Sequence, residues 1–283
     1  MIIRFIFFLI VFVCNSLFAK SVIVGDLQGQ LGNQLFIIAA TVSLALDNDA
    51  VPIFPGLLNN PHFNIPINYE KVFSNLNVII PNDINIEHVY KEPYFNYSPI
   101  PYYPNMMISG YFQSEKYFAH HKREIIDLFA PSDSIIEHIK KHYAHILDHP
   151  NTVSVHLRSY YREDPAGHIH ITYGSQYIFN AIKLFPRDAL FVVFTNDMPW
   201  CKRELTGIDR NTIFIEGEPH YHDFYLMSMC KHNIISNSSF SWWAAYLNTN
   251  PNKIIVAPRI WFNPKAIAST KDLKPRSWME VSE

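Results

Sequence analysis

The rhythm of apolar and polar positions changes repeatedly along this chain, and the changes mark out alternating strands and helices. Ser21-Val22-Ile23-Val24 is a short β-branched run, followed by a glycine-rich turn from Gly25 to Gly32. From Asn33 to Leu46, the residues Leu35, Ile38, Ala39, Val42, Ala45 and Leu46 recur at helical spacing. A second strand is expected at Val51–Phe54. Pro55–Pro104 is rich in Pro and Asn, and reads as long loops with one short strand near Val78–Ile80. Met107–Phe112 reads as extended, and helices are expected over Ser114–Phe129 and Ser132–Leu147.

Past the turn Asp148-His149-Pro150-Asn151 the alternation is cleaner. Strands are expected at Thr152–His156, Leu190–Thr195, Thr212–Ile215, Asn233–Ile235 and Lys253–Ala257. Between them, helices are expected at Tyr173–Leu184, Pro199–Leu205, Tyr221–Met229 and Phe240–Leu247. Short apolar strands alternating with helices imply a parallel sheet covered on both faces. The turn divides an α/β half over 20–150 from a second over 151–283, with a cleft between them.

Residues 1–19 form a separate unit. A short apolar run, Phe5 to Val13, follows Arg4, and Leu17-Phe18-Ala19 precedes Lys20. This is the pattern of a secretory signal peptide, or of a short membrane anchor, since a spanning helix needs about 20 apolar residues. Either places the chain at a membrane or in a secretory-pathway lumen; an inward-facing anchor would leave it on the cytoplasmic face. Cleavage would remove Cys14, leaving Cys201 and Cys230, too few for a disulfide framework or a cysteine metal site.

Composition narrows the classes further. Across 283 residues, 48% are hydrophobic and 17% charged, which excludes a disordered chain. A net charge of −2 offers no basic field for nucleic acid. Aromatics at 15% serve packing first, and Trp242, Trp243, Tyr111 and Phe112 read as core. Asp47-Asn48-Asp49 reads as a helix terminus rather than a metal-binding Asp-x-Asp, and the pairs His168/His170 and His220/His222 as solvated loops rather than metal ligands. Asn96-Tyr97-Ser98 is a glycosylation pattern. The spacing of Gly25, Gly29 and Gly32 is not that of a dinucleotide fingerprint.

Parallel sheets bind ligands at the carboxyl ends of their strands. Alternation puts His156 and Arg158 on one side of such an end, where a guanidinium suits phosphate oxygens. Thr195-Asn196-Asp197 ends the next strand. Ser236-Asn237-Ser238-Ser239 opens the helix at Phe240, where hydroxyls cap the helix and its N-terminus attracts anions. A phosphate-bearing ligand follows from these features.

Five segments, in order, resemble the α-1,2-fucosyltransferase family (glycosyltransferase family 11). They are Gly29 to Phe36, Gly110 to Phe118, His156-Leu157-Arg158, Phe194 to Asp197 running into Trp200-Cys201-Lys202, and Asp223 to Trp243 with its Asn237-Ser238-Ser239-Phe240-Ser241-Trp242-Trp243. The resemblance implies a GT-B-like fold of two Rossmann-type domains, GDP-fucose as donor, a glycan acceptor and no metal. It matches Arg158 to the arginine on the donor diphosphate and His156 to the histidine of the donor pocket. Asn33 and Gln34 match the loop facing the fucose, and Asn237, Ser238, Ser239 and Phe240 the segment beside the phosphates. Asp197 is a candidate nucleoside contact, and Asp26 and Glu115 are candidates for the base. The chain departs from the family at Ser159 and Tyr161, where a second arginine and an acid are usual; Arg162, Glu163 and Asp164 follow closely. That departure leaves open a different nucleotide sugar, or a non-catalytic GDP- or glycan-binding role.

Overall fold

The computed structural model describes residues 20–59, 65–76, 84–160, 168–267 and 269–283. The strand expected at Val78–Ile80 and the segment 1–19 lie outside them. No helix among the described residues is long and apolar enough to cross a membrane.

In the N-terminal half, β1 (Val22–Gly25), β2 (Val51–Ile53), β3 (His88–Lys91) and β4 (Met106–Ser109) form a parallel sheet in the order β2-β1-β4-β3. Helix α1 (Leu31–Asp47) follows β1, and α2 (Gly56–Asn59) and α3 (Ile65–Lys71) follow β2. The expected helix over 114–129 is instead two 3-10 turns, Glu115–Tyr117 and Ala119–His121, and then α4 (Lys122–Leu128). Phe118 breaks it, with φ at −144°. Helix α5 (Asp133–Leu147) closes this half.

The C-terminal half holds β5 (Thr152–Leu157), α6 (Ser175–Ile182), β6 (Leu190–Thr195), α7 (Met198–Glu204) and β7 (Thr212–Phe214). Then come α8 (His220–Met229), β8 (His232–Ile234), α9 (Ser239–Leu247), β9 (Ile255–Pro258) and β10 (Met279–Val281). Its six strands are all parallel, in the order β10-β9-β8-β5-β6-β7. All six residues of β5 are buried, as a central strand with both faces covered requires.

One core joins the halves. Helix α1 is apolar nearly all round because it is enclosed between its own sheet and α9. The Phe36 ring lies 4.5 Å from Trp242 and 5.1 Å from Trp243, and Phe118 stacks on Trp243 at 5.2 Å. Both tryptophans are fully buried, and each such side chain contributes roughly 1.5–3 kcal/mol. The Trp242 indole donates to the Leu273 carbonyl, and the Lys253 ammonium donates to the carbonyls of Ala245, Tyr246 and Asn248 at the C-terminus of α9. This packing fixes the N-terminus of α9 at the cleft.

Candidate donor-binding site

The carboxyl ends of β5, β6 and β8 and the turn before α1 face a cavity of about 760 Å³. Arg158, just past β5, lines it. Its guanidinium carbon lies 5.6 Å from the Tyr160 ring centroid, and it has no carboxylate partner among the described residues. His156, two residues earlier on the same side of the strand, also lines the cavity; its Nδ1 is 2.9 Å from the Ser236 hydroxyl. Burial, aided by the Arg158 charge, lowers its pKa to about 3, so the ring is neutral and serves as a hydrogen-bonding wall.

Opposite stands the N-terminus of α9. Ser238 occupies the N-cap position, yet its side chain makes no capping bond, which corrects the expectation that these hydroxyls cap the helix. Ser239 donates instead to Asn33 Oδ1 at 2.9 Å, and Gln113 donates to the same oxygen at 2.8 Å. Ser238, Ser239, Phe240, Asn237 and Asn33 all line the cavity. Free backbone N–H groups at the head of this nine-residue helix give it a positive end facing Arg158's side of the cavity.

Two glycines make the close approach possible. Gly29 adopts φ +73°, and a Cβ there would lie 2.3 Å from the Asn33 amide nitrogen. A Cβ on Gly32 would lie 2.4 Å from the Ser239 carbonyl carbon and 2.5 Å from the Phe240 nitrogen.

Asp223, in the first turn of α8, is the one carboxylate lining the cavity among the described residues. Its Oδ1 is buried without a hydrogen-bond partner there. Burial, with the nearby Glu218 charge, raises its pKa to about 7. His220, on the same turn, bonds through Nε2 to Asn68 Oδ1 at 2.8 Å.

The sequence model described as Glycosyl transferase family 11 matches residues 19–282. The chain belongs to that family. An Escherichia coli protein described as an alpha-1,2-colitosyltransferase is 32% identical over 182 residues, spanning 62% of this chain and 62% of that protein. The galactoside alpha-(1,2)-fucosyltransferase 2 of Oryctolagus cuniculus is 25% identical over 282 residues, 89% of this chain and 77% of that one. The crystal structure of the fucosyltransferase NodZ from Bradyrhizobium superposes with a TM-score of 0.53 at 14% identity, covering 80% of this chain and 92% of that one. A crystal of NodZ alpha-1,6-fucosyltransferase soaked with GDP-fucose gives 0.52 at 13% identity, covering 81% and 92%. At such identities the structural likeness concerns the fold, a GT-B-like pair of parallel α/β sheets.

Against the family pattern, several expected residues sit elsewhere. Gln34 is fully buried and does not line the cavity; it donates to the Gly29 carbonyl at 2.8 Å and accepts from Asn68 at 2.7 Å. It shapes the loop that carries Asn33. Asp197 is the N-cap of α7, accepting from Trp200 N at 3.0 Å, and is not among the lining residues. Asp26 is exposed, accepts from the Ser109 hydroxyl and lies outside the cavity. Glu115 also lies outside it, half-buried in a 3-10 turn; burial raises its pKa against the charges of Lys122 and Lys116. Ser159 is buried and exchanges hydrogen bonds with the Asn196 side chain, while Tyr161, Arg162, Glu163 and Asp164 lie outside the described residues.

His220 and His222, expected in a solvated loop, lie instead on the first turn of α8. His220 faces the cavity, but His222 bonds to Glu218 at 2.7 Å, and Glu218 also meets His138 at 3.1 Å. Ligand atoms of His138, Glu218 and His222, and of the more exposed Asp47, His120 and His121, lie within 4.8 Å of one another in each group. Asp223, His220, Tyr160 and Tyr111 line the cavity without having been singled out for it from sequence. An acid in the first turn of a helix is ordinarily a dipole partner, which hides Asp223. Tyr111, expected to pack, is 36% exposed.

Proposed function

We propose that this chain transfers L-fucose from GDP-β-L-fucose to the 2-hydroxyl of a galactoside-type acceptor, with inversion and without a metal. One observation carries the reading: Arg158, the head of α9 and the Asp223 carboxylate, whose buried Oδ1 has no hydrogen-bond partner among the described residues, face a single cavity. A nucleoside diphosphate offers what those groups need. Its phosphates match a guanidinium and free helix N–H groups, and the N–H edge of guanine matches a carboxylate lacking donors.

The acceptor hydroxyl attacks the anomeric carbon from the face opposite GDP as the bond from that carbon to the β-phosphate oxygen breaks. GDP leaves with the electron pair, the hydroxyl proton passes to solvent, and a β-linked donor gives an α-linked product. Negative charge grows on the departing diphosphate, where Arg158 and the backbone donors of Ser239 and Phe240 are held before reaction begins. Those fixed charges fill the place that a cation takes in other transferases. Residues 1–19 are proposed to bring the chain to a membrane or a secretory lumen.

The test is direct. Full-length protein is incubated with GDP-fucose, a β-galactoside and EDTA, and released GDP and product mass are followed. Acceptor-dependent gain of one deoxyhexose, abolished by Arg158→Ala, is expected, with linkage analysis giving the 2-position. Absence of GDP-fucose binding would sink the reading. The 32% identity to a colitosyltransferase favours a second reading, in which the transferred sugar is another deoxyhexose on a nucleotide. Competition between the two donors separates them.

A further inference from the structure

One wall of the cavity is a continuous row of rings. The Tyr160 and His170 rings lie parallel at 4.2 Å with only 5° between their planes. His170 meets Phe262 at 5.2 Å, and Phe262 meets Phe95 edge-on at 5.0 Å. All four line the cavity. Phe95 comes from the N-terminal half, between β3 and β4, so the row crosses the cleft.

The row is built rather than accidental. His170 and Phe262 form an isolated antiparallel bridge, and Asn263 N donates to the Ile169 carbonyl. Asn237 spends both amide hydrogens on the carbonyls of Ile171 and Trp261, the residues flanking that bridge, each at 2.9 Å. Tyr160 returns a bond from its hydroxyl to the Asn237 carbonyl at 3.0 Å. Across the cleft, the Ser269 hydroxyl donates to Asn96, beside Phe95.

Its place in the sheet decides its use. The strand order puts β9, which leads to Phe262, on one flank of β5, and β7, which leads to α8 and Asp223, on the other. Arg158 stands between them at the end of β5. If the nucleoside occupies the Asp223 flank and the diphosphate lies at Arg158, the rings flank the side from which a nucleophile must arrive. One face of a galactopyranoside carries C–H groups at carbons 3, 4 and 5, and such a face suits the electron-rich faces of aromatic rings.

Resting on the proposed transferase reading, we infer that Tyr160, His170, Phe262 and Phe95 form the acceptor subsite, which receives the apolar face of a pyranoside. The experiment compares the full chain with Phe95→Leu and Phe262→Leu, substitutions that keep an apolar side chain but remove the flat ring. Saturation-transfer NMR with methyl β-galactoside in the presence of GDP reads acceptor contact without turnover. Steady-state kinetics read acceptor KM, and calorimetry reads GDP affinity.

Expected are magnetisation transfer to the protons on carbons 3 to 5, weakened in both variants. A rise in acceptor KM of fivefold or more is expected with GDP affinity within twofold of the parent. Unchanged acceptor KM in both variants overturns the inference, as does an equal loss of GDP affinity, which would assign the rings to the donor. If no fucosyl transfer occurs but ring-dependent galactoside contact persists, the transferase reading fails and the subsite stands.

Discussion

Asn33 Oδ1, on the first turn of α1, accepts a 2.9 Å hydrogen bond from the hydroxyl of Ser239, the first residue of α9. The bond crosses the cleft where the two sheets face one another. Since Gln113 donates to the same oxygen, Asn33 is held in place from both halves. Asn33→Ala should strand two donors and cost about 1–3 kcal/mol. Gly32→Ala is expected to be worse, because its Cβ meets backbone of Ser239 and Phe240 rather than a flexible side chain. Urea denaturation and GDP titration of both variants check this; a Gly32→Ala protein with parental stability and affinity would refute the close approach.

On the proposed reading, Asp223 sets donor binding against stability. Its folded pKa, about 7, lies above the ordinary value of 3.8, so the fold favours the protonated form. The associated stability is complete below 3.8 and is lost as pH rises through about 7. Asp223→Asn should therefore be more stable at pH 8 by about 1–3 kcal/mol, with little gain near pH 4. GDP affinity should fall tenfold or more in the same variant, and in the parent it should weaken as pH falls below about 7. Thermal melts and calorimetry at the two pH values read both effects.

Two groups shape the acid limb. His156, lowered by burial to about 3 from 6.5, takes up its proton on unfolding, so stability declines as pH falls through that interval. Glu218 behaves differently. Burial pushes it up, but hydrogen bonds from His222, Tyr143 and His138 hold it at about 2, so its stabilisation is present above 4.5 and is lost as pH falls through about 2. In urea melts from pH 7 to pH 3, His156→Gln should flatten the first decline. Glu218→Gln should cost about 1–2 kcal/mol at pH 7 and flatten only the second.

Cys201 and Cys230 are buried, and burial raises both thiols to about 12. Neither should react with iodoacetamide at pH 8 in the native protein, and both should react in urea. Peptide mass spectrometry after timed alkylation reads each site separately.

Five of the six parallel strands of the C-terminal half, β5 to β9, were legible because they are short apolar runs between helical periods. β3 was not, since three of its four residues are exposed and no face alternates. β10 is an exposed edge strand of three residues and gives equally little signal. In the site, period-two alternation foretold that His156 and Arg158 share a side. It could not foretell that Gln34, one residue from Asn33, turns into the protein, because neighbours on a helix point about 100° apart. Asp197 looked like a ligand residue from its place after β6, where a helix cap uses the same residue type. Only the folded chain brings Phe95 to Phe262, across 167 positions of sequence.

The aromatic contact between α1 and α9 has a mechanical consequence. Phe36 from one half and Trp242 and Trp243 from the other are a single packed unit, so a rigid-body swing of one sheet away from its partner would tear open the core itself. Any opening of the cleft is then left to loops at its rim, such as the one between β3 and β4 that carries Phe95. Neither half should survive as an independently expressed fragment, and substrate preference can drift at the rim while the anion cradle beneath it stays the same.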